Sequence, residues 1–155
     1  MSPSPRPPDP EAFWSFAVAA WERAEVRDLL LLWQERHGVD VIFLLFACWV
    51  PHALAPPHWT VLHAASTDWN AGVTQRIRAL RRRVRAIDWP QGYRAILGLE
   101  LASERIEATW LARAASLPER ATSDPDLDQR LGRLFAELPP VERSAFIAEI
   151  RPLLR

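Results

Sequence analysis

The chain has 155 residues, and its 19 basic side chains, every one of them Arg, balance 19 acidic ones. This balance excludes a general electrostatic attraction to nucleic acid or to an anionic membrane. Hydrophobic residues make up 49% of the chain, which suffices for a sizeable core in one domain. The single cysteine excludes an internal disulfide and suits a reducing compartment.

No segment has the pattern of a signal peptide or of a membrane span. The N-terminus lacks a charged region followed by an apolar one. The longest purely apolar run, from Val41 to Val50, is about half the length that a spanning helix needs. We therefore expect a soluble, cytoplasmic protein without a membrane span.

The chain begins with a proline-rich segment, residues 1–8, that has no apolar periodicity. We expect this segment to be a disordered tail and residues 9–155 to form a single helical domain. Asp9 is expected to cap the first helix, with Pro10 in its first turn, because this pair satisfies the free N–H groups of a helix start.

Two helices and the corner between them follow. The second predicted helix runs from about residue 25 to residue 37, and Gly38 then suits the left-handed conformation that ends a helix. Asp40 is expected to cap the third helix, over 41–50, which Pro51 kinks or ends. Because this third helix is apolar on every side, other helices must surround it, and we predict that it is the central buried helix of the fold.

A long helix with an apolar stripe is predicted in the middle of the chain. A short helical piece over 59–65 precedes it, and Ser66 or Thr67 is expected to cap the long helix, which ends at Ile87. Its apolar residues recur in steps of three and four, as on a helix face that packs against a core. This stripe contains Trp69, Val73, Ile77, Leu80, Val84 and Ile87.

Three further helices are predicted. The first covers about residues 91–116 and precedes a polar linker over 117–124. Two short helices, over 125–137 and 140–154, are expected to form a C-terminal hairpin within residues 125–155. Because no alternating β-branched segment is present, the predicted fold class is all-α: a compact orthogonal bundle of about six to seven helices around the central helix.

Several segments together point to a known family. They are Phe13-Trp14-x-Phe16, the corner Leu32-Trp33-Gln34-Glu35-x-His37-Gly38-Val39-Asp40-Val41, Leu44-Leu45-Phe46 with Trp49, Trp69 with Leu80-Arg81-Arg82, and Glu100-Leu101-x-x-Glu104. As a set they resemble a bacterial family of small proteins called domain of unknown function 2390. The chain departs from that pattern at Trp21 and Ile42, where Tyr and Asn are expected. The resemblance implies an all-α fold and no established activity.

Six arginines lie on the long predicted helix without an intervening acid: Arg76, Arg78, Arg81, Arg82, Arg83 and Arg85. At about 100° per residue, Arg78, Arg82 and Arg85 share the face opposite the apolar stripe. Guanidinium groups suit phosphate, so these three are the candidate contact with an anionic partner such as RNA or a ribonucleoprotein. No aromatic residues interleave on this face, so such binding would depend on backbone charge.

Three acids, Glu100, Glu104 and Glu107, follow one side of the next predicted helix at spacings of four and three. Apolar neighbours flank them, and desolvation there would raise their pKa values, which makes this acidic stripe a candidate for carboxylate-based catalysis. The alternative is an ion-pair seam with the arginine helix, because consecutive helices are expected to be antiparallel. In that seam Arg76 and Arg83 are the expected partners, and the three candidate arginines remain available to a partner.

The polar residues around the central helix, His37, Asp40, Cys48 and His52, lack the spacing of a metal or nucleophile site. Capping explains Asp40, and packing within an apolar segment explains Cys48. No metal, cofactor or catalytic residue is therefore predicted.

These observations leave three functions open. The leading one is a non-enzymatic protein–protein interaction or adaptor protein with an unknown protein partner, since no catalytic set is evident. Trp59 and Trp89, beside prolines at helix ends, are expected to be partly exposed. Aromatic residues there often anchor partners, but packing at the helix ends is the favoured explanation. The second is polyanion binding through Arg78, Arg82 and Arg85. The third is a carboxylate-based enzyme that uses the acidic stripe.

Overall fold

The computed structural model describes residues 8–50, 54–115 and 126–154. The predictions for residues 1–7 of the tail, for Pro51 and His52, and for the linker over 117–124 lie outside these ranges. All regular secondary structure in the described residues is helical, which confirms the predicted all-α class.

Local chemistry sets the boundaries of the first three helices, as predicted. These helices are α1 (Pro10–Glu22), α2 (Ala24–His37) and α3 (Val41–Trp49). Asp9 caps α1 by accepting a backbone N–H at 3.0 Å. Gly38 ends α2 with φ at +63°, a conformation that a β-branched side chain disfavours. Asp40 caps α3 because its Oδ1 accepts from the N–H groups of Ile42 and Phe43, at 3.1 and 3.3 Å.

Helix α3 is the buried centre of the fold, as predicted. All of its residues except Trp49 are buried. Phe43 and Phe46 pack edge-to-face against Trp59, with ring centroids 6.0 and 5.9 Å apart. Trp59 is therefore a core residue, only 2% exposed, and the prediction that it is partly exposed at a helix end is wrong.

The middle of the chain forms one rod. Helix α4 (Pro56–Trp69), a π-helical turn (Asn70–Thr74) and helix α5 (Gln75–Ala86) follow one another without interruption. The predicted break and cap at Ser66 or Thr67 are wrong, because Ser66 lies inside the rod and is fully buried. With this rod counted as one, the described residues contain seven helical rods, in line with the prediction.

Helix α6 (Pro90–Ala114) returns antiparallel to α5, through a turn at Asp88. Thr74 Oγ1 lies 3.1 Å from Ser103 Oγ, and Arg81 Nη1 donates to Tyr93 Oη at 3.2 Å nearer the turn. Although α6 is the longest helix in the described ranges, neither it nor any other helix there is long and apolar enough to cross a bilayer.

Helices α7 (Leu127–Leu134) and α8 (Pro140–Ile150), with a 3₁₀ turn (Arg151–Leu154), close the chain and pack against each other. Buried Arg130 on α7 donates to the carbonyl of Ala47 at 2.9 Å and so satisfies one of the free carbonyls at the end of α3. On α8, Glu142 accepts from the indole N–H of Trp33 at 2.8 Å. Both contacts hold the C-terminal pair onto the core.

Candidate functional site

A groove with mostly apolar walls lies between α1, α2, α3, α5 and α6, and it encloses about 630 Å³. Val18 and Trp21 of α1 and Leu31 of α2 line one part of it, and Leu97 and Leu101 of α6 line another. These five side chains are between 39% and 54% exposed. A contiguous apolar surface of this kind, in a concave site, is typical of a surface that binds another molecule.

The polar end of the groove is a network of two arginines and two glutamates. Arg78 Nε lies 2.8 Å from Glu100 Oε1, and Arg78 Nη2 lies 2.8 Å from Glu104 Oε1. Arg81 Nε lies 2.6 Å from Glu100 Oε2. The side chains of Arg78 and Glu100 are 8% and 9% exposed. We call these four side chains the ionic floor of the groove. Because their two positive and two negative charges balance, the ionic floor adds no net charge to the groove.

The seam between the arginine helix and the acidic stripe therefore exists, but with different arginines from those expected. Arg76 and Arg83 are exposed, and no ion pair joins them to a described residue. Arg78, predicted to be open to a partner, is only 7% exposed. The prediction that Arg78 contacts an anionic partner from the outer face is therefore wrong. Arg82, by contrast, is exposed.

The physical reason lies in how α5 is rotated on α6. Thr74 and Arg78 face Ser103 and Glu100, so the polar edge of α5 forms the helix–helix contact. A π-helical turn contains an additional residue and so rotates everything after it by about 100° relative to an uninterrupted α-helix. The predicted apolar stripe is accordingly only partly covered; Leu80, for example, is 45% exposed.

A buried pair of carboxyl groups lies beside this ionic floor. Glu107 lies next to Asp40 and Ser66, and all three side chains are buried. Desolvation raises the pKa of Glu107 far above its usual range, and the adjacent Asp40 raises it further. This shift favours the protonated form of Glu107. Burial also raises the pKa of Glu104, an effect that the hydrogen bond from Arg78 opposes.

This buried proton should make stability depend on pH. Because the pKa of Glu107 is higher in the folded state than in the unfolded one, its contribution is fully present below about pH 4.5 and is lost as pH rises. The loss approaches about 1.4 kcal/mol per pH unit for one proton. We expect Glu107→Gln, which stays neutral, to melt at a higher temperature than the wild type at pH 9 and to show a flatter dependence between pH 6 and 9. Exposed Glu137→Gln is the control, and equal slopes for wild type and Glu107→Gln would contradict the assignment.

The other polar residues near α3 have packing roles. Burial raises the pKa of the Cys48 thiol to about 12, which leaves it protonated and unreactive. His63 stacks on Phe43 with ring centroids 4.7 Å apart. In the described part of the chain, no group of three or more His, Cys, Asp or Glu side chains is arranged to hold a metal ion.

Sequence reasoning missed two parts of this site. The first is the groove, because Trp21 and Leu97 were apolar residues of separate helices with no pattern joining them. The second is the pairing of Asp40 with Glu107, because capping alone accounted for Asp40. A sequence signal for this pair was nevertheless present. Asp40 stands at the start of an apolar helix and Glu107 has apolar neighbours, so each carboxyl group needs a polar partner when it is buried.

The fold and the site define an all-α protein with a central apolar helix, a buried ionic floor and an open apolar groove. The chain belongs to the family described as "Protein of unknown function (DUF2390)", whose profile matches residues 12–111. This result confirms the resemblance found in the sequence. The matched range holds every residue of the groove, of the ionic floor and of the Asp40–Glu107 pair. No curated protein and no solved structure gives a match.

Proposed function

We propose that this is a non-enzymatic cytoplasmic protein that binds a partner protein, and that the groove receives an apolar helical segment of that partner. The observation that carries this proposal is the clustering of Val18, Trp21, Leu31, Leu97 and Leu101 around one cavity while each stays substantially exposed. A groove between helices is the usual receptor for the apolar face of an amphipathic helix.

Charges around the groove indicate which helix fits. The ionic floor is internally neutral, so the buried part of the occupant is apolar and brings no charge of its own. Exposed Glu22 lines the end near α1, whereas exposed Arg82 and Arg85 lie one turn beyond Arg78 and Arg81 on α5. The complementary occupant carries basic residues toward α1 and acidic residues toward the end of α5.

Two tryptophans provide a matched test of the groove. Trp21 lines the groove and Trp110 does not, yet their exposed fractions are 39% and 41%. We expect Trp21→Ala to weaken partner binding by about 30-fold, as for an aromatic hot spot, and Trp110→Ala to leave it unchanged. Affinity capture with quantitative mass spectrometry identifies proteins with this dependence, and titration of the purified partner then gives the dissociation constants.

A second pair of variants, both on α6, controls for indirect effects of a substitution on the fold. Leu101→Gln alters the groove, and Leu99→Gln alters the same helix outside it, at exposed fractions of 54% and 52%. Both variants should have the same melting temperature as the wild type. If no captured protein distinguishes Trp21→Ala from Trp110→Ala, or if Leu99→Gln weakens binding as much as Leu101→Gln, the groove is not the binding site.

Polyanion binding is the second candidate function, and it now depends on different residues. Arg82, Arg83 and Arg85 are exposed, and none forms an ion pair within the ranges that the structure describes. Planar guanidinium groups in this state suit phosphate. Arg78 has no part in this candidate because Glu100 and Glu104 already bind it.

A carboxylate-based enzyme is the weakest of the three candidates. Catalysis by two carboxyl groups needs both to reach a substrate, with one as acid and the other as base. Here Glu100 and Glu104 are bound by arginine, and Glu107 is 2% exposed beneath them. These positions favour a structural role for the acidic stripe.

A further inference from the structure

Trp89 lies at the turn between α5 and α6 and is 55% exposed. Its indole ring rests on the first turn of α6, at Gly92. A Cβ atom on Gly92 would lie 2.2, 2.6 and 2.7 Å from three atoms of that ring, which is too close for any side chain. These distances fit a Cβ atom placed above the ring plane, so one face of the ring covers Gly92. Because Trp89 as a whole is 55% exposed, we infer that the opposite face is the one that solvent reaches.

The surroundings of this ring form a small cleft of about 340 Å³, at the low end of the size range of ligand sites. Arg85 and Arg94 line it on the two sides of the turn, together with Tyr93. The hydroxyl of Tyr93 accepts from Arg81 at 3.2 Å, which ties the start of α6 to α5. The open face of Trp89 is therefore presented by an ordered turn.

The charge around the turn is strongly positive. Arg82, Arg83, Arg85 and Arg94 are exposed, and none forms an ion pair with a residue that the structure describes. Asp88 is the one acid in the sequence between Trp69 and Leu99. This positive turn thus places several free guanidinium groups around one flat aromatic surface.

We propose that the turn between α5 and α6 binds single-stranded nucleic acid, with one base stacked on the open face of Trp89 and flanking phosphates on Arg85 and Arg94. An aromatic platform within a cationic surface is how proteins hold single strands without reading their sequence. A duplex offers no free base face to the ring, which is why the single strand is favoured. This proposal rests on the polyanion candidate above and adds the stacking contact to it.

The test uses fluorescence anisotropy with the full-length protein, a labelled twelve-nucleotide oligo(dT) strand and a duplex of equal length. Competition with inorganic polyphosphate measures binding by charge alone. We expect Trp89→Ala to weaken single-strand binding on the order of tenfold or more. The inhibition constant of polyphosphate should stay unchanged. Trp89→Phe should retain most of the affinity, and Trp110→Ala is the matched control. Gly92→Ala should act like Trp89→Ala, because its methyl group displaces the ring.

Charge removal should give a different pattern. Arg85→Gln with Arg94→Gln should weaken the binding of both oligo(dT) and polyphosphate and reduce the dependence of affinity on salt. If the wild type binds polyphosphate but Trp89→Ala and Gly92→Ala bind oligo(dT) as the wild type does, the stacking site is wrong and the polyanion candidate stands. Equal affinity for duplex and single strand would overturn the stacking site in the same way. If the wild type binds none of the three probes at low salt, both proposals fail.

Discussion

Arg78→Ala should lower the free energy of unfolding by about 3–5 kcal/mol, which is enough to unfold many proteins of this size. The reason is that the substitution leaves the buried carboxylate of Glu100 and the half-buried carboxylate of Glu104 without the guanidinium group that binds both. Urea titration followed by far-UV circular dichroism measures the change. Arg82→Ala, one turn further along and exposed, should stay within about 0.5 kcal/mol of the wild type.

A compensated variant separates lost charge pairing from lost packing. In Arg78→Met with Glu100→Gln and Glu104→Gln, the only charge of the ionic floor that remains is that of Arg81, whose side chain is 23% exposed, and the methionine replaces the stem of Arg78. We expect this variant to recover much of the stability that Arg78→Ala loses, because uncompensated buried charge is the main cost. Equal stability of the two variants would indicate that packing dominates, and the ionic floor would then have little energetic importance.

Leu44→Asp should abolish cooperative unfolding or leave the protein insoluble. Leu44 is fully buried on α3, and it lies away from the groove, so water cannot reach a carboxylate placed there. Burying an unpaired charge costs several kcal/mol, comparable with the whole stability of a domain. Leu99→Asp, at a position 52% exposed, is the control and should remain folded. A soluble Leu44→Asp variant with an unchanged melting temperature would show that α3 is not the centre of the core.

The ionic floor, the groove and the turn at Trp89 all depend on the same two helices. Helices α5 and α6 contribute Arg78 and Glu100 to the ionic floor and Leu97 and Leu101 to the groove, and the turn between them contains Trp89. Because the floor, the groove walls and the turn use different residues, single substitutions can disable one without the others. The experiments above depend on that separation.

Local features were predictable because they depend on residues that are close in sequence. Asp9, Gly38 and Asp40 each satisfy or end a helix through contacts within a few positions, and the structure has all three as predicted. The burial of α3 was predictable for a related reason: a helix that is apolar on every side has no face that water solvates well. The family resemblance and the all-α class follow from the same segments.

The orientation of α5 could not be predicted in this way. Its apolar residues recur with helical periodicity, which predicted that they face the core, yet Thr74 and Arg78 are buried while Leu80 and Ile87 stay exposed. The π-helical turn changes the rotation of everything after it, and a matching row of acids on α6 makes burial of an arginine favourable. Neither effect is visible in a pattern that treats one helix at a time.

The amino-acid sequence by itself thus determined the all-α class, the helix ends at Asp9, Gly38 and Asp40, the central helix and the membership of the family, because these depend on local propensity and on local patterns of apolar residues. Only the tertiary structure decided which arginines are buried, that Asp40 meets Glu107, and that Trp21 and Leu101 share a groove. The physical reason is that desolvation and charge pairing depend on distances between residues far apart in the chain. The candidate functions of this protein depend on those distances.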